Sequence, residues 1–164
     1  MKPNAVWLVQ VKPKNEARDR HGEHIKHDIA DTGIKSVSKV SYYPLFRIEG
    51  DILLHDIETI ASRLLCDPVI ESCTIKNAGD SLAVVNGKTA STSRHEVEVW
   101  LKNGVTDAVA SSVLKAIYDL GYNKTLTVKT GQLYIIEGTI NKKSVEEIAT
   151  RLLINPLIQE YKLR

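Results

Sequence analysis

The chain is poor in the residues that hold small secreted proteins together. It has two cysteines in 164 residues, Cys66 and Cys73. Two thiols seven positions apart make neither a disulfide framework nor a Cys-x-x-Cys motif. No run approaches the ~18 consecutive apolar residues of a membrane helix. The opening Met1-Lys2-Pro3-Asn4-Ala5-Val6-Trp7-Leu8 has no apolar stretch followed by a small-residue cleavage site, so a cytoplasmic location is expected. Charge of one sign is scarce too: 22 Lys and Arg stand against 20 Asp and Glu. Residues 5–75 carry nine basic and eleven acidic groups, and residues 95–164 carry nine and eight. Neither half has the basic excess of a nucleic-acid binder, and no membrane partner is expected.

What the chain does have is a repeat. A shift of 88 residues lays Trp7–Ile75 on His95–Leu163 without a gap and gives 22 identities in 69 pairs. Ile48-Glu49-Gly50 falls on Ile136-Glu137-Gly138, and Ile60-Ala61-Ser62-Arg63-Leu64-Leu65 on Ile148-Ala149-Thr150-Arg151-Leu152-Leu153. Agreement of that density marks two copies of one unit. The expected division is a first unit over 1–76, a linker over 77–94 and a second unit over 95–164. Gly79, Asn86-Gly87 and the Thr/Ser run give the linker its character, and 82–85 could add a short strand.

Periodicity supplies the elements. Val97 and Val99 alternate with Glu96 and Glu98, which reads as a half-buried strand, and Val9 and Val11 match them. Val109, Val113, Leu114 and Ile117 have helical spacing between Asp107 and Gly121; Asp19 and Gly33 bound the equivalent helix around Ile25 and Ile29. Two strands should follow, 36–42 and 45–49 in the first copy, turning at Tyr43-Pro44. In the second copy 124–130 and 133–137 should form a hairpin at Gly131-Gln132. The stripe Val145, Ile148, Ala149, Leu152 and Leu153 predicts an amphipathic helix, with Ser144 and Glu147 as a capping box and Asn155-Pro156 as its stop. Ile57, Ile60, Ala61, Leu64 and Leu65 repeat it, with Asp56 as cap. Last strands should span 69–75 and 157–163. The predicted fold class is therefore α+β: two tandem βαββαβ units, each a four-stranded antiparallel sheet with two helices on one face.

The chemistry is sparse. His21, His24 and His27 recur every third residue, which turns successive side chains around a helix instead of gathering them on a metal. Cys66 and Cys73 meet Ile154 and Tyr161 in the other copy, and no Gly-x-Gly-x-x-Gly, P-loop, Gly-x-Ser-x-Gly or zinc-ligand cluster is present. Arg63 and Arg151 are shared between copies, and Glu147 stands four residues before Arg151, the spacing of a surface ion pair. An RNA-recognition module has the same element order but stacks bases on aromatics of its central strands; Trp7, Tyr42, Tyr43, Phe46, Trp100 and Tyr134 do not form that pattern.

Val99-Trp100-Leu101-Lys102-Asn103-Gly104-Val105-Thr106-Asp107, Leu120-Gly121-Tyr122 and Leu152-Leu153-Ile154-Asn155-Pro156-Leu157-Ile158-Gln159-Glu160-Tyr161 resemble the PurS family, the small subunit of phosphoribosylformylglycinamidine synthase. The first copy keeps Asp19-x-x-Gly22 and Asp67-Pro68-Val69-Ile70-Glu71. Family members are single units that pair, so the resemblance implies an internal pseudo-dimer, with further self-association compatible with it. It also implies a non-catalytic assembly role in de novo purine biosynthesis, bridging a glutaminase subunit and a large synthetase subunit. This chain would bind no cofactor or metal; ATP, Mg and glutamine would be used by the partners. The polar positions expected to meet them are Lys102, Asn103, Asp107, Arg151 and Asn155, each of which has an alternative role as turn, cap or surface ion pair. An ACT-like small-molecule-sensing module and a stand-alone enzyme remain as other classes; the first would bind an amino acid, the second would turn over without partners.

Overall fold

The structure, a computed structural model, describes residues 5–78 and 92–164. The possible strand at 82–85, and most of the expected linker, lie outside the described residues. Among the described residues six strands and four α-helices follow one another as β1 (Ala5–Pro13), α1 (Arg20–Asp31), β2 (Val37–Gly50), α2 (Leu54–Ile60), β3 (Glu71–Asn77), β4 (Ser93–Leu101), α3 (Ala108–Asp119), β5 (Leu126–Gly138), α4 (Lys142–Ile148) and β6 (Gln159–Leu163). The class is α+β with antiparallel pairing, as the alternation and helical stripes predict.

The hairpins are absent. Instead of turning at Tyr43-Pro44, the chain runs on as one strand, β2, of 14 residues, and β5 passes straight through Gly131-Gln132 for 13. A two-residue hairpin needs positive φ at a central position. Among the described residues the positive-φ glycines are Gly33, Gly50, Gly104, Gly121 and Gly138, and Gly131 is not one of them. Pro44 is tolerated because the β1 ladder ends at Gln10↔Leu45, so its missing N–H lies just past that ladder.

The through-going strands change which segments pack together. The chain forms two compact units, and among the described residues the first holds 5–14, 44–78 and 106–131, the second 15–43, 92–105 and 132–164. The repeat boundaries read from sequence thus mark copies, while each core draws on both. The helix before β2 and the helix after it enter different cores.

In the first unit the strands lie in the order β3-β1-β2-β5, counting β2 from Pro44 and β5 up to Gly131. Val9 pairs with Phe46 on one side and Ile75 on the other. Ile57 and Ile60 of α2 and Ala110 and Ile117 of α3 join Val9, Ile48, Leu126 and Val128 in one core, so both helices cover the same face. In the second unit the order is β2-β5-β4-β6, with Val99 opposite Tyr161. There Ile25 and Ile29 of α1 and Val145 and Ile148 of α4 share a core with Val97, Val99 and Ile136. Each unit has four strands and two helices, as expected of the fold, but α1 and α3 serve the core of the opposite copy.

Glycine explains the shared Ile-Glu-Gly motif. A Cβ on Gly138 would lie 2.2 Å from the Ser36 carbonyl oxygen, and one on Gly50 2.6 Å from that of Thr125, with φ of +157° and +149°. The neighbouring strand approaches too closely for any side chain.

The second helix of each copy also departs from expectation. After Ile60 and after Ile148 it widens into a π-helical turn, Ala61–Leu65 and Ala149–Leu153, closed in the second copy by the Ile154 N–H on the Ala149 carbonyl at 3.1 Å. Its start differs as well. Asn141, not Ser144, caps α4, its side-chain oxygen accepting the Ser144 N–H at 2.8 Å. Asp56 sits inside α2 and accepts the Leu53 N–H at 3.3 Å. In the second copy the earlier Asn141 carries the capping oxygen, whereas in the first copy Leu53 holds the cap position without a side-chain acceptor.

Candidate functional site

Two constructions recur in both copies. The first is a carboxylate between a helix and a strand. Asp107 caps α3, one oxygen accepting the Ala110 N–H at 2.8 Å while the other accepts the Thr130 N–H at 2.8 Å. The Thr130 hydroxyl adds a bond of 2.9 Å. Asp19 does the same for α1, accepting the Gly22 and Tyr42 N–H groups at 2.7 Å each. Three donors on one half-buried carboxylate are enough to occupy it. Asp107, expected at a partner interface, is placed as a pin between helix and strand in the first unit.

The second is a proline turn that follows each π-helical turn. Asn155 accepts the Leu157 N–H on its side-chain oxygen at 3.1 Å, its own N–H donates to Gln159 Oε1 at 2.8 Å, and its carbonyl accepts the Gln159 N–H at 2.8 Å. Asp67 repeats all three contacts with Val69 and Glu71 at 2.8 Å each. This is an Asx turn locked from both ends. Beneath it, the Lys102 N–H donates to the Ile158 carbonyl and its ammonium to the Pro156 carbonyl; Lys14 treats Ile70 and Pro68 the same way. Lys102 and Asn155 therefore meet at one turn, and Asn103 stands beside Lys102 on the exposed bend leading to Gly104.

What these turns hold out is apolar. Leu157 is 83% exposed and Val69 79%, each followed by a half-exposed isoleucine, Ile158 and Ile70. Isolated exposed apolar residues are ordinary, but a hydrogen-bonded turn that presents the same pair in both copies is a built surface. The sequence reading placed these residues in the last strands, which begin only at Glu71 and Gln159. The available signal was the apolar pair directly after Asp/Asn-Pro, where a turn exposes rather than buries. Arg151 lies on the preceding π turn and reaches Glu147 at 2.7 Å, both side chains more than half exposed. Of the five expected interface residues, four are in the second unit and Asp107 is in the first.

A third feature is unique to the second unit. His21 lies against Tyr42 with ring centroids 4.0 Å apart, and Tyr42 against Tyr134 at 5.4 Å. The Tyr134 hydroxyl donates to Gln132 Oε1 at 3.0 Å. Burial, with the neighbouring Tyr42 second, pushes the Tyr134 phenol up to about 12; burial and then Asp19 raise that of Tyr42. The equivalent positions in the first unit are Val109, Thr130 and Phe46, so the cluster is not shared. His24 is exposed and lies 3.7 Å from Asp28. Among the described residues no group of three or more His, Cys, Asp or Glu is arranged to hold a metal ion. Nor, among them, is any helix long and apolar enough to cross a membrane.

Known proteins match this sequence one repeat at a time. The family model for PurS, described as phosphoribosylformylglycinamidine (FGAM) synthase, matches twice, over residues 7–79 and 94–164. The PurS subunit of that synthase from Methanocaldococcus jannaschii is 33% identical over 73 residues, a stretch covering 42% of this chain and 88% of that one. The solved structure of B. subtilis PurS is 31% identical, covers 43% of this chain and 94% of its own, and superposes with a TM-score of 0.38. That of M. jannaschii PurS, described as one of the subunits of formylglycinamide ribonucleotide amidotransferase in the purine biosynthetic pathway, is 24% identical. It covers 43% and 92% of the two chains at a TM-score of 0.32. Matched over both of its repeats, the chain belongs to the PurS family and carries two tandem copies of the family's unit.

Proposed function

We propose that this chain is the non-catalytic assembly subunit of phosphoribosylformylglycinamidine synthase, joining the glutaminase subunit to the large synthetase subunit in the cytoplasm. The observation that carries the reading is the double family match, one for each repeat. Two copies in one chain take the place of a pair of single-repeat subunits, as an internal pseudo-dimer. Tethering converts their encounter into an intramolecular one at high effective concentration. ATP, Mg and glutamine are used by the partners; this chain supplies surface.

The proline turns are the surface best suited to the task. Each presents two apolar side chains on a hydrogen-bonded base, so little conformational freedom is lost when a partner covers them. Lys102 and Asn155 serve that surface by holding the turn, and Asn103 and Arg151 lie on the same unit as polar rim.

The test mixes the chain with the glutaminase and synthetase subunits, glutamine and Mg-ADP. Co-elution of all three and glutamine-dependent product are expected. Product formation at the same rate without this chain, or no co-elution, refutes the proposal.

A further inference from the structure

We propose that β6 is an edge for self-association: two copies of the chain pair antiparallel along Gln159–Leu163, centred on Tyr161. β6 is the outer strand of the second unit, and among the described residues only β4 pairs with it. The ladder shows which backbone groups are left over. Glu96 and Arg164 exchange both N–H···O bonds at 2.9 Å, and the Lys102 N–H reaches the Ile158 carbonyl. Bonded pairs recur at every second residue of an antiparallel ladder, so Ile158, Glu160, Lys162 and Arg164 turn their backbone groups toward β4. Gln159, Tyr161 and Leu163 turn theirs away from it. Of these, the Gln159 N–H is already taken by the Asn155 carbonyl at 2.8 Å.

That edge is complementary to itself. With Tyr161 opposite Tyr161 of a second copy, each Tyr161 N–H donates to the other's carbonyl, and each Leu163 N–H to the other copy's Gln159 carbonyl. The same register sets Glu160 of each copy directly opposite Lys162 of the other. Both side chains are exposed, and among the described residues neither takes part in an ion pair. Opposite charges facing across two strands stabilise the pairing, and like charges oppose it. Edge strands commonly carry charge that keeps other chains away; here the two signs are placed so that a second copy is attracted. The contact is twofold symmetric, so it closes at two chains.

The other edge lacks this property. β3 is the outer strand of the first unit, and its positions matching Glu160 and Lys162 are Ser72 and Thr74. Its charged residues, Glu71 and Lys76, stand an odd number of positions apart and so project from opposite faces. No register of β3 with itself brings them opposite each other. β6 laid on β3 of another chain can match Glu160 with Lys76 but leaves Lys162 without an acidic partner, and a head-to-tail contact of that kind gives rings or filaments. Self-pairing therefore belongs to the second repeat alone.

The experiment follows the sedimentation of the full chain over a concentration series. The expected result is an equilibrium between one and two chains that weakens with added salt, with amide exchange at Tyr161 and Leu163 slowing as concentration rises. E160K and K162E should each weaken the dimer by roughly tenfold or more, because symmetry turns both ion pairs into repulsions. Mixed together, the two variants should pair with each other, since each Lys of one then faces a Glu of the other. E160K/K162E on one chain should restore self-pairing. Recovery on mixing excludes a folding defect as the cause of the loss, and circular dichroism checks each variant alone. L163P removes an outward N–H and no bond to β4, and should weaken the dimer at any salt concentration. One chain per particle at every concentration, a dimer indifferent to E160K and K162E, or assemblies that grow past two chains would each overturn the proposal. No glutaminase or synthetase subunit is involved, so the result is independent of the assembly reading.

Discussion

Replacing Asp107 by alanine removes three hydrogen bonds at once and tests the exchange of segments between repeats. The lost cap on Ala110 costs about 1 kcal/mol. The Thr130 N–H and hydroxyl lose an ionised acceptor at 2.8 and 2.9 Å, a class of bond worth ~1.5–3 kcal/mol. The three share one carboxylate and are not additive, so the total comes to roughly 2–4 kcal/mol. For a chain of this size that lowers the melting temperature by about 4–15 °C. D107N should cost less but not nothing, since an amide has one acceptor oxygen and cannot serve both Ala110 and Thr130. The decisive assay is amide exchange resolved by segment. Asp107 belongs to the second repeat, yet it holds α3 in the first unit. Protection should therefore fall in β1 and β3 and persist in β4 and β6. A variant within ~0.5 kcal/mol of wild type, or a loss of protection confined to β4 and β6, would refute the reasoning. D19A is the mirror experiment, with losses expected in β4 and β6.

Gly138→Ala forces a Cβ to within 2.2 Å of a backbone carbonyl at a φ of +157°, and should destabilise by at least ~1–3 kcal/mol in urea unfolding. Ile148→Ala empties a position 1% exposed and should cost about 2–5 kcal/mol, while Arg151→Ala, which breaks only an exposed ion pair, should stay within ~0.5 kcal/mol by the same measurement. Val69→Ser and Leu157→Ser together should leave the melting temperature unchanged and weaken co-elution with the partner subunits; undiminished co-elution would remove the turns from the interface. Tyr134 has a folded pKa raised to about 12 from its ordinary 10, so its contribution to stability is whole below pH 10 and is lost as pH rises through 12. The urea midpoint should fall across that window in the wild type and less steeply in Y134F.

Much of the molecule was legible from residue order. Asp19 and Asp107 start their helices because a short carboxylate can reach N–H groups three residues ahead, which is a local matter. The stripes through Ile60 and Ile148 bury as spacing predicts, since both positions end at or near zero exposure. The residues expected at an interface were harder. Lys102 and Asn155 are separated by 53 positions, and only the turn's closure shows that one supports the other's proline carbonyl. The strand-side donor to Asp107, Thr130, is fixed by packing and not by any local pattern. Leu157 and Val69 were assigned to strands because apolar residues before an alternating run look like its beginning; the Asx turn delays the strand by two residues and leaves them in solvent.

The sequence by itself determined that there are two copies of one unit, where in each the helices and the alternating strand segments lie, and which family the unit belongs to. Tertiary structure decided which segments share a core. Side chains alternate with period two along a strand whether it ends in a hairpin or runs on, so 36–42 and 45–49 carry the same pattern either way. The choice rests on backbone conformation at Tyr43-Pro44 and Gly131-Gln132, where nothing enforces a turn. With no turn in β2 or β5, α1 and α3 pack into the core of the other copy. Two repeats that read as separate domains become two cores built from both.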